Sequence, residues 1–386
     1  MTSAALERLA SLAREREAAS MSRRIERPDP TLVNLSSNDY LGIARDAALR
    51  EAFLSESRAP LGAGASALLG GEGESHEALE SVLEKLYGRR PLLFPSGWHA
   101  NTGIVSTIGR VFGRRVLFLA DRLAHASTMD GLRLAAADGA RFARWRHSDV
   151  AHLESLLEAK AASFELVVIL AESLYGMDGD LAPLVEIAAL KRRFPNAILL
   201  LDEAHGVGTV GREGLGLAHA LGLLGEVELL LLTFGKAPGA SGAALLAPAP
   251  WRDLMVNACR PLIYSTAEPP ILAAWTAFVM ERIPRMTDRR ERLEAVSRRV
   301  RAALGMPAEP AAPIVPVIMG SSGKALEAAA RLRRAGFLAG AVRAPTVPAG
   351  TERLRISLSS ALEDDAVDRL CRCLRDLLGK EADHAP

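Results

Sequence analysis

The stretch Ala197-Ile198-Leu199-Leu200-Leu201-Asp202-Glu203-Ala204-His205 is an unbroken apolar run that ends in Asp202, Glu203 and His205. A run apolar at every position predicts a strand buried on both faces, as in a parallel sheet covered by helices. The strand delivers Asp202 to the sheet edge, where a carboxylate is costly to bury unless a cation or a donor meets it. A protonated pyridine nitrogen is one such partner. Asp202 to His205 also spells the box with which nucleic-acid helicases hold magnesium beside a P-loop, a reading that requires an upstream G-x-x-x-x-G-K-[ST]. The Gly-Lys pairs here, Gly235-Lys236, Gly323-Lys324 and Gly379-Lys380, all lie downstream, and none precedes Ser or Thr. The helicase reading fails.

The same grammar repeats on either side: a short apolar run, a polar or glycine-rich turn, then a helical stretch. Residues 91–94 lead into Pro95-Ser96-Gly97, 116–120 into the turn from Asp121 to His125, and 166–170 into Glu172-Ser173. Residues 227–232 lead into Thr233-Phe234-Gly235-Lys236, and 243–247 add one more run. Strands alternating with helices predict an α/β fold with a mostly parallel, doubly wound sheet. In such sheets ligands bind beyond the carboxyl ends of the strands, where the chemically useful residues of this chain fall.

Lys236 directly follows a buried strand and is framed by glycines, which let backbone approach a bulky ligand. Partial desolvation favours the neutral, nucleophilic amine and suits Schiff-base formation. Ser96-Gly97-Trp98 opens a helix running through 101–108, whose free N–H groups suit a phosphate. His125 follows another strand, where it can lie flat over an aromatic ring or serve as an ordinary surface histidine.

The C-terminal part changes character. Residues 285–304 predict a charged amphipathic helix, followed by a strand (314–319), a helix (324–335) and a strand (338–342). After a Pro/Gly loop come a further strand (352–358) and a helix from about Leu362. Ser360 and Glu363 have the spacing of a capping box for that helix. This βαββα order predicts a small second α/β domain over 281–386, after a large domain at 45–280 and an N-terminal helix and arm at 1–44. Leu6, Leu9, Leu12 and Ala13 recur at helical spacing among charges, which predicts a surface helix rather than a signal peptide.

A net charge of +1, from 47 Lys+Arg against 46 Asp+Glu over 386 residues, makes no electrostatic case for nucleic acid or an anionic membrane. No apolar stretch is long enough to span a bilayer. Cys259, Cys371 and Cys373 are too few and too irregular for a disulfide framework, which points to a reducing, cytoplasmic compartment. The histidines lack metal-ligand spacing, so no metal is expected.

Taken together these stretches resemble the α-oxoamine synthase family of fold-type-I pyridoxal-phosphate enzymes. The resemblance runs from Asn34-Leu35-Ser36-Ser37-Asn38-Asp39-Tyr40-Leu41-Gly42 to the last helix. It includes Asp121 to Ser127, Met177-Asp178-Gly179-Asp180, Asp202 to Gly206, Thr233 to Lys236, Leu262-Ile263-Tyr264-Ser265-Thr266, and Pro345 to Arg355. It implies that Lys236 carries pyridoxal 5'-phosphate covalently and moves the substrate proton. It further implies that Asp202 pairs with the ring nitrogen, His205 with the ring's phenolic oxygen, and that His125 stacks on the ring. Ser96, Gly97, Trp98 and Thr233 would hold the phosphate, with Ser265 or Thr266 supplied by the second subunit of a homodimer. Arg355 would grip the amino-acid carboxylate, with Asn38 and Arg343 near the substrates. The implied reaction condenses an amino acid, L-alanine, with an acyl-CoA or acyl-carrier protein and releases carbon dioxide. Glycine-using or serine-using relatives and secondary-metabolism synthases are the alternatives within the family. The chain departs from the family at Gly64-Ala65-Ser66-Ala67, at Gly176 where many relatives carry serine, at Pro238, and in a short segment between Arg24 and Asn34.

Overall fold

Seven strands form the central sheet in the computed structural model of the chain: β1 (Pro91–Phe94), β2 (Val116–Asp121), β3 (Arg141–Trp145), β4 (Leu166–Glu172), β5 (Ala197–Asp202), β6 (Leu229–Thr233) and β7 (Ala243–Leu246). The structure describes residues 3–18, 21, 22, 25, 27 and 29–379. The departure between Arg24 and Asn34 therefore falls partly outside the described residues. Across the sheet the order is β1-β7-β6-β5-β4-β2-β3. β7 runs antiparallel to both of its neighbours, and every other pair is parallel.

Unbroken apolar runs are what two-sided burial demands, and β1, β2, β4, β6 and β7 are buried at every residue. Each fully buried leucine contributes roughly 1.5–3 kcal/mol relative to exposure, so the leucine runs of β5 and β6 belong at the sheet's centre. β3 is a strand that the run pattern did not reveal. It is an edge strand with Arg141, Phe142 and Arg144 exposed, and charge on an edge blunts unwanted pairing.

Helix Gly97–Phe112 covers one face of the sheet and packs on helix Ala126–Ala137. Ile104, Val105, Ile108, Leu132 and Ala135 share one core with Phe118, Val168 and Leu170 of the strands.

The chain divides into two compact units, one of residues 39–176 with 180–292, the other of 1–38, 177–179 and 293–386. In the second unit Arg353–Ser357 is the central strand of an antiparallel sheet, between Ile314–Ile318 and Gly340–Val342. The single strand read at 338–342 is two short strands. Phe337–Leu338 pairs with Val33–Asn34, and Gly340–Val342 pairs with Arg353–Ser357.

The expected capping box does not form. Ser360 and Ala361 lie in a turn, with Leu362 N donating to Ser359 O at 3.2 Å, and the extended Glu363 is the N-cap of helix Asp364–Leu377 without a side-chain capping bond. Asp364 and Asp365 in the first turn complement the helix dipole instead. Helix Ser3–Ala18 buries no residue, in keeping with a surface helix. Among the described residues no helix is long and apolar enough to cross a membrane.

Candidate active site

Asp121, Trp145, Glu172, Asp202 and Thr233 are the last residues of β2 to β6, so parallel pairing lines their side chains along one edge. Register sets Glu172 directly beside Asp202. Asp202 is 5% exposed and keeps its carboxylate satisfied through two donors. Asn101 Nδ2 donates to one oxygen at 2.8 Å, and the Ala204 amide donates to the other at 2.9 Å. Each carboxylate oxygen has a second acceptor direction, which leaves capacity for a further N–H. Burial and the neighbouring Asp202 charge push Glu172 up to about 8, so at neutral pH Glu172 carries a proton.

His205 lies one turn beyond β5 and is buried. Its Nδ1 meets the Tyr40 hydroxyl at 2.7 Å. Its Nε2 faces Gly176 so closely that a Cβ at that position would overlap the ring. The departure at Gly176 therefore makes room for this imidazole. His125 is the N-cap of helix Ala126–Ala137, its Nδ1 accepting the Ser127 amide at 3.2 Å. The Trp98 ring stands edge-on to it, with centroids 6.2 Å apart. Partial desolvation lowers the His125 pKa; Asp202 pulls it up and Lys236 pushes it down.

Ser96 caps helix Gly97–Phe112 by accepting the His99 amide at 3.3 Å. A Cβ on Gly97 would come within 2.7 Å of Thr233 Cγ2, so glycine alone lets the helix start approach the end of β6. Thr233 Oγ1 is buried there without a hydrogen-bond partner among the described residues. An orphaned hydroxyl beside the free N–H groups of a long helix fits an incoming phosphate. Lys236 follows, half-buried, in a turn closed by the Gly239 amide donating to its carbonyl at 2.8 Å. Pro238 is buried in that turn, and Trp275 Nε1 ties the turn down at Gly239 O, 3.0 Å away.

Ser265 and Thr266 lie on a segment bridged to Ser66, with Ala267 N donating to Ala65 O at 3.0 Å. The departure at residues 64–67 is thus the partner of that segment. In the smaller unit Arg355 Nη1 donates to Asn38 Oδ1 at 3.0 Å and to Ser357 Oγ at 2.6 Å. Arg343 donates to Ser22 O at 3.1 Å. Among the described residues no group of His, Cys, Asp and Glu could hold a metal ion.

The fold brings three further residues to the site: Tyr40 against His205, and Asn101 and Glu172 against Asp202. Tyr40 was within the matched stretch, and Asn101 is one helical turn from Gly97, a spacing that places both on one face. Nothing in sequence pairs Glu172 with Asp202; strand register does.

The mostly parallel sheet and its covering helices are those of the fold-type-I pyridoxal-phosphate-dependent enzymes, and the chain is one of that class. The chain belongs to the aminotransferase class I and II family, whose profile matches residues 30–374. It is similar to the 8-amino-7-oxononanoate synthase of Chlorobaculum parvum, with 41% identity over 359 residues, 90% of this chain and 89% of that one. A Sphingomonas wittichii serine palmitoyltransferase superposes with a TM-score of 0.85 at 28% identity, covering 96% of this chain and 97% of that one. A structure of SPT with PLP as its internal aldimine superposes with the same TM-score of 0.85 at 25% identity, covering 96% and 98%.

Proposed function

We propose that this chain condenses L-alanine with a pimeloyl thioester, on CoA or a carrier protein, to give 8-amino-7-oxononanoate, carbon dioxide and the free thiol in biotin biosynthesis. The observation that carries the reading is Lys236 in the turn that follows β6, three residues beyond Thr233 and past the same sheet edge as Asp202. The relative at 41% identity supports the substrate pair.

Pyridoxal phosphate, when bound, supplies the electron sink for a carbanion at the amino acid's α-carbon. Lys236 Nζ holds the cofactor and moves the α-proton. The Asp202 carboxylate keeps a proton on the ring nitrogen, and His205, held by Tyr40, donates to the phenolic oxygen. His125 covers the ring face and excludes water. The Gly97 and Trp98 amides and Thr233 Oγ1 bind the phosphate next to the Ser96 cap, joined by Ser265 or Thr266 from a second copy of the chain. Arg355, oriented by Asn38, binds the amino-acid carboxylate through a forked pair, with Arg343 nearby.

The serine palmitoyltransferase likeness favours a second reading, L-serine with a longer acyl-CoA. Thiol release by the cofactor-loaded protein decides between them, with L-alanine, glycine and L-serine each crossed against acyl-CoAs of graded length. Fast release only with alanine and pimeloyl-CoA is expected; release with serine and a long chain replaces the substrates and keeps the chemistry. Lys236→Ala is expected to abolish the yellow colour of the bound cofactor and to cut turnover by on the order of 10³-fold. Colour and turnover that survive the substitution would refute the lysine assignment.

A further inference from the structure

His147 stands outside the residues assigned above, yet both of its ring nitrogens are committed. Nδ1 lies 2.9 Å from Asp121 Oδ1 and Nε2 lies 2.8 Å from Asp180 Oδ2. A carboxylate only accepts, so an imidazole bonded to one at each nitrogen carries both protons. The side chain is 24% exposed, between an Asp121 that is fully buried and an Asp180 that is 37% exposed. Tyr175 closes the remaining side, its ring edge-on with centroids 4.4 Å apart. Glu172 is the further titratable group acting on Tyr175.

What the bridge joins gives it a meaning beyond packing. Asp121 also accepts the Leu123 amide at 2.7 Å and the Ser148 amide at 3.0 Å, and its carbonyl accepts the Ala124 amide at 3.1 Å. Those bonds shape the turn that presents His125. Ser148 is the one described non-glycine residue at positive φ, 52°. That conformation costs energy in an L-residue, and it persists where the surrounding bonds over-determine it. At the other end, Asp180 O accepts the Tyr175 amide at 2.9 Å, closing the turn whose Gly176 backs onto His205 Nε2. We infer that His147 is a positioning residue, a cation clamped between Asp121 and Asp180 that sets both His125 and His205 for the cofactor ring. The inference rests on the assignment of those two imidazoles to pyridoxal phosphate. Burial opposes the charge, but the hydrogen bonds to Asp121 and Asp180 outweigh it and push His147 up to about 10, so the clamp is charged at any working pH.

The test is His147→Gln, which keeps one donor and loses the charge. Pyridoxal-phosphate affinity, read by quenching of tryptophan fluorescence, is expected to fall about tenfold at pH 7. The difference from the natural chain should vanish as pH passes about 10, where His147 itself loses its proton. An unchanged affinity overturns the inference, and so does a loss that stays constant from neutral to alkaline pH, the mark of packing alone. If the variant does not fold, Asp180→Asn at the more exposed end gives the same reading with about a threefold loss. If the natural chain itself fails to bind pyridoxal phosphate, the cofactor assignment falls, and amide exchange in cofactor-free protein decides the clamp. Exchange at Leu123 and Ala124 about tenfold faster in His147→Gln upholds it, and equal exchange overturns it.

Discussion

Glu172 shows how one residue's protonation protects another's charge. Its carboxyl is buried beside Asp202 in adjacent strands, and two carboxylates that close do not both ionise readily. Burial and the Asp202 charge hold Glu172 up to about 8, so below that pH Glu172 keeps its proton beside Asp202. Glu172→Gln copies the protonated form in shape and neutrality. Its kcat/KM at pH 7 is expected to stay within about threefold of the natural chain's, because the group removed was already uncharged. Above pH 8 the natural chain should decline as Glu172 ionises and the variant should not. A pH profile from 6 to 9.5 reads this directly, and two superimposable alkaline limbs would dismiss Glu172 as their origin.

Among the elements, helices Gly97–Phe112 and Ala126–Ala137 matter most, because their N-termini carry Ser96, Gly97, Trp98 and His125. They approach so closely that a Cβ on Gly109 would overlap Ala135, and one on Gly131 would come within 2.9 Å of Val105 Cβ. Gly109→Val should therefore destabilise the chain by about 1–3 kcal/mol through overpacking. Urea unfolding would show a lower midpoint at an unchanged slope, and a midpoint equal to the natural chain's would contradict the packing argument. The same elements mark what sequence reveals. β2, β4, β5 and β6 were legible because two-sided burial demands apolar runs. β3, with arginines on an open edge, follows no such demand. The positions of Asp202 and Lys236 were legible as a carboxylate and an amine at the ends of those runs. Tyr40 and Asn101 reach His205 and Asp202 from distant stretches, so only the fold brings them in. The Ser360–Glu363 spacing failed as a cap because capping depends on where the chain turns helical, which here is at Glu363.

For the whole molecule, three buried carboxyls and His147 are shifted in the same direction, upward. Burial pushes Glu203 and Glu268 up to about 7, and burial with the Asp202 charge pushes Glu172 up to about 8, from an ordinary 4.5. Bonds to Asp121 and Asp180 overcome burial to push His147 up to about 10 from 6.5. A group whose folded pKa is raised contributes stability fully present below its unfolded pKa and lost as pH rises through its folded pKa. Cofactor-free protein is therefore expected to lose stability steadily between pH 5 and 10, the carboxyls acting first and His147 last. Glu268 isolates one step, because both of its oxygens are buried without a hydrogen-bond partner among the described residues, and burial is the cause of its shift. Glu268→Gln removes the ionisation. The variant should match the natural chain's dependence up to about pH 5 and gain about 2 kcal/mol on it by pH 8.5. Denaturant unfolding at the two pH values measures that gain. An offset between the two proteins that is the same at both would mean that Glu268 keeps its proton across the range, and that the alkaline loss belongs to Glu172, Glu203 and His147 alone.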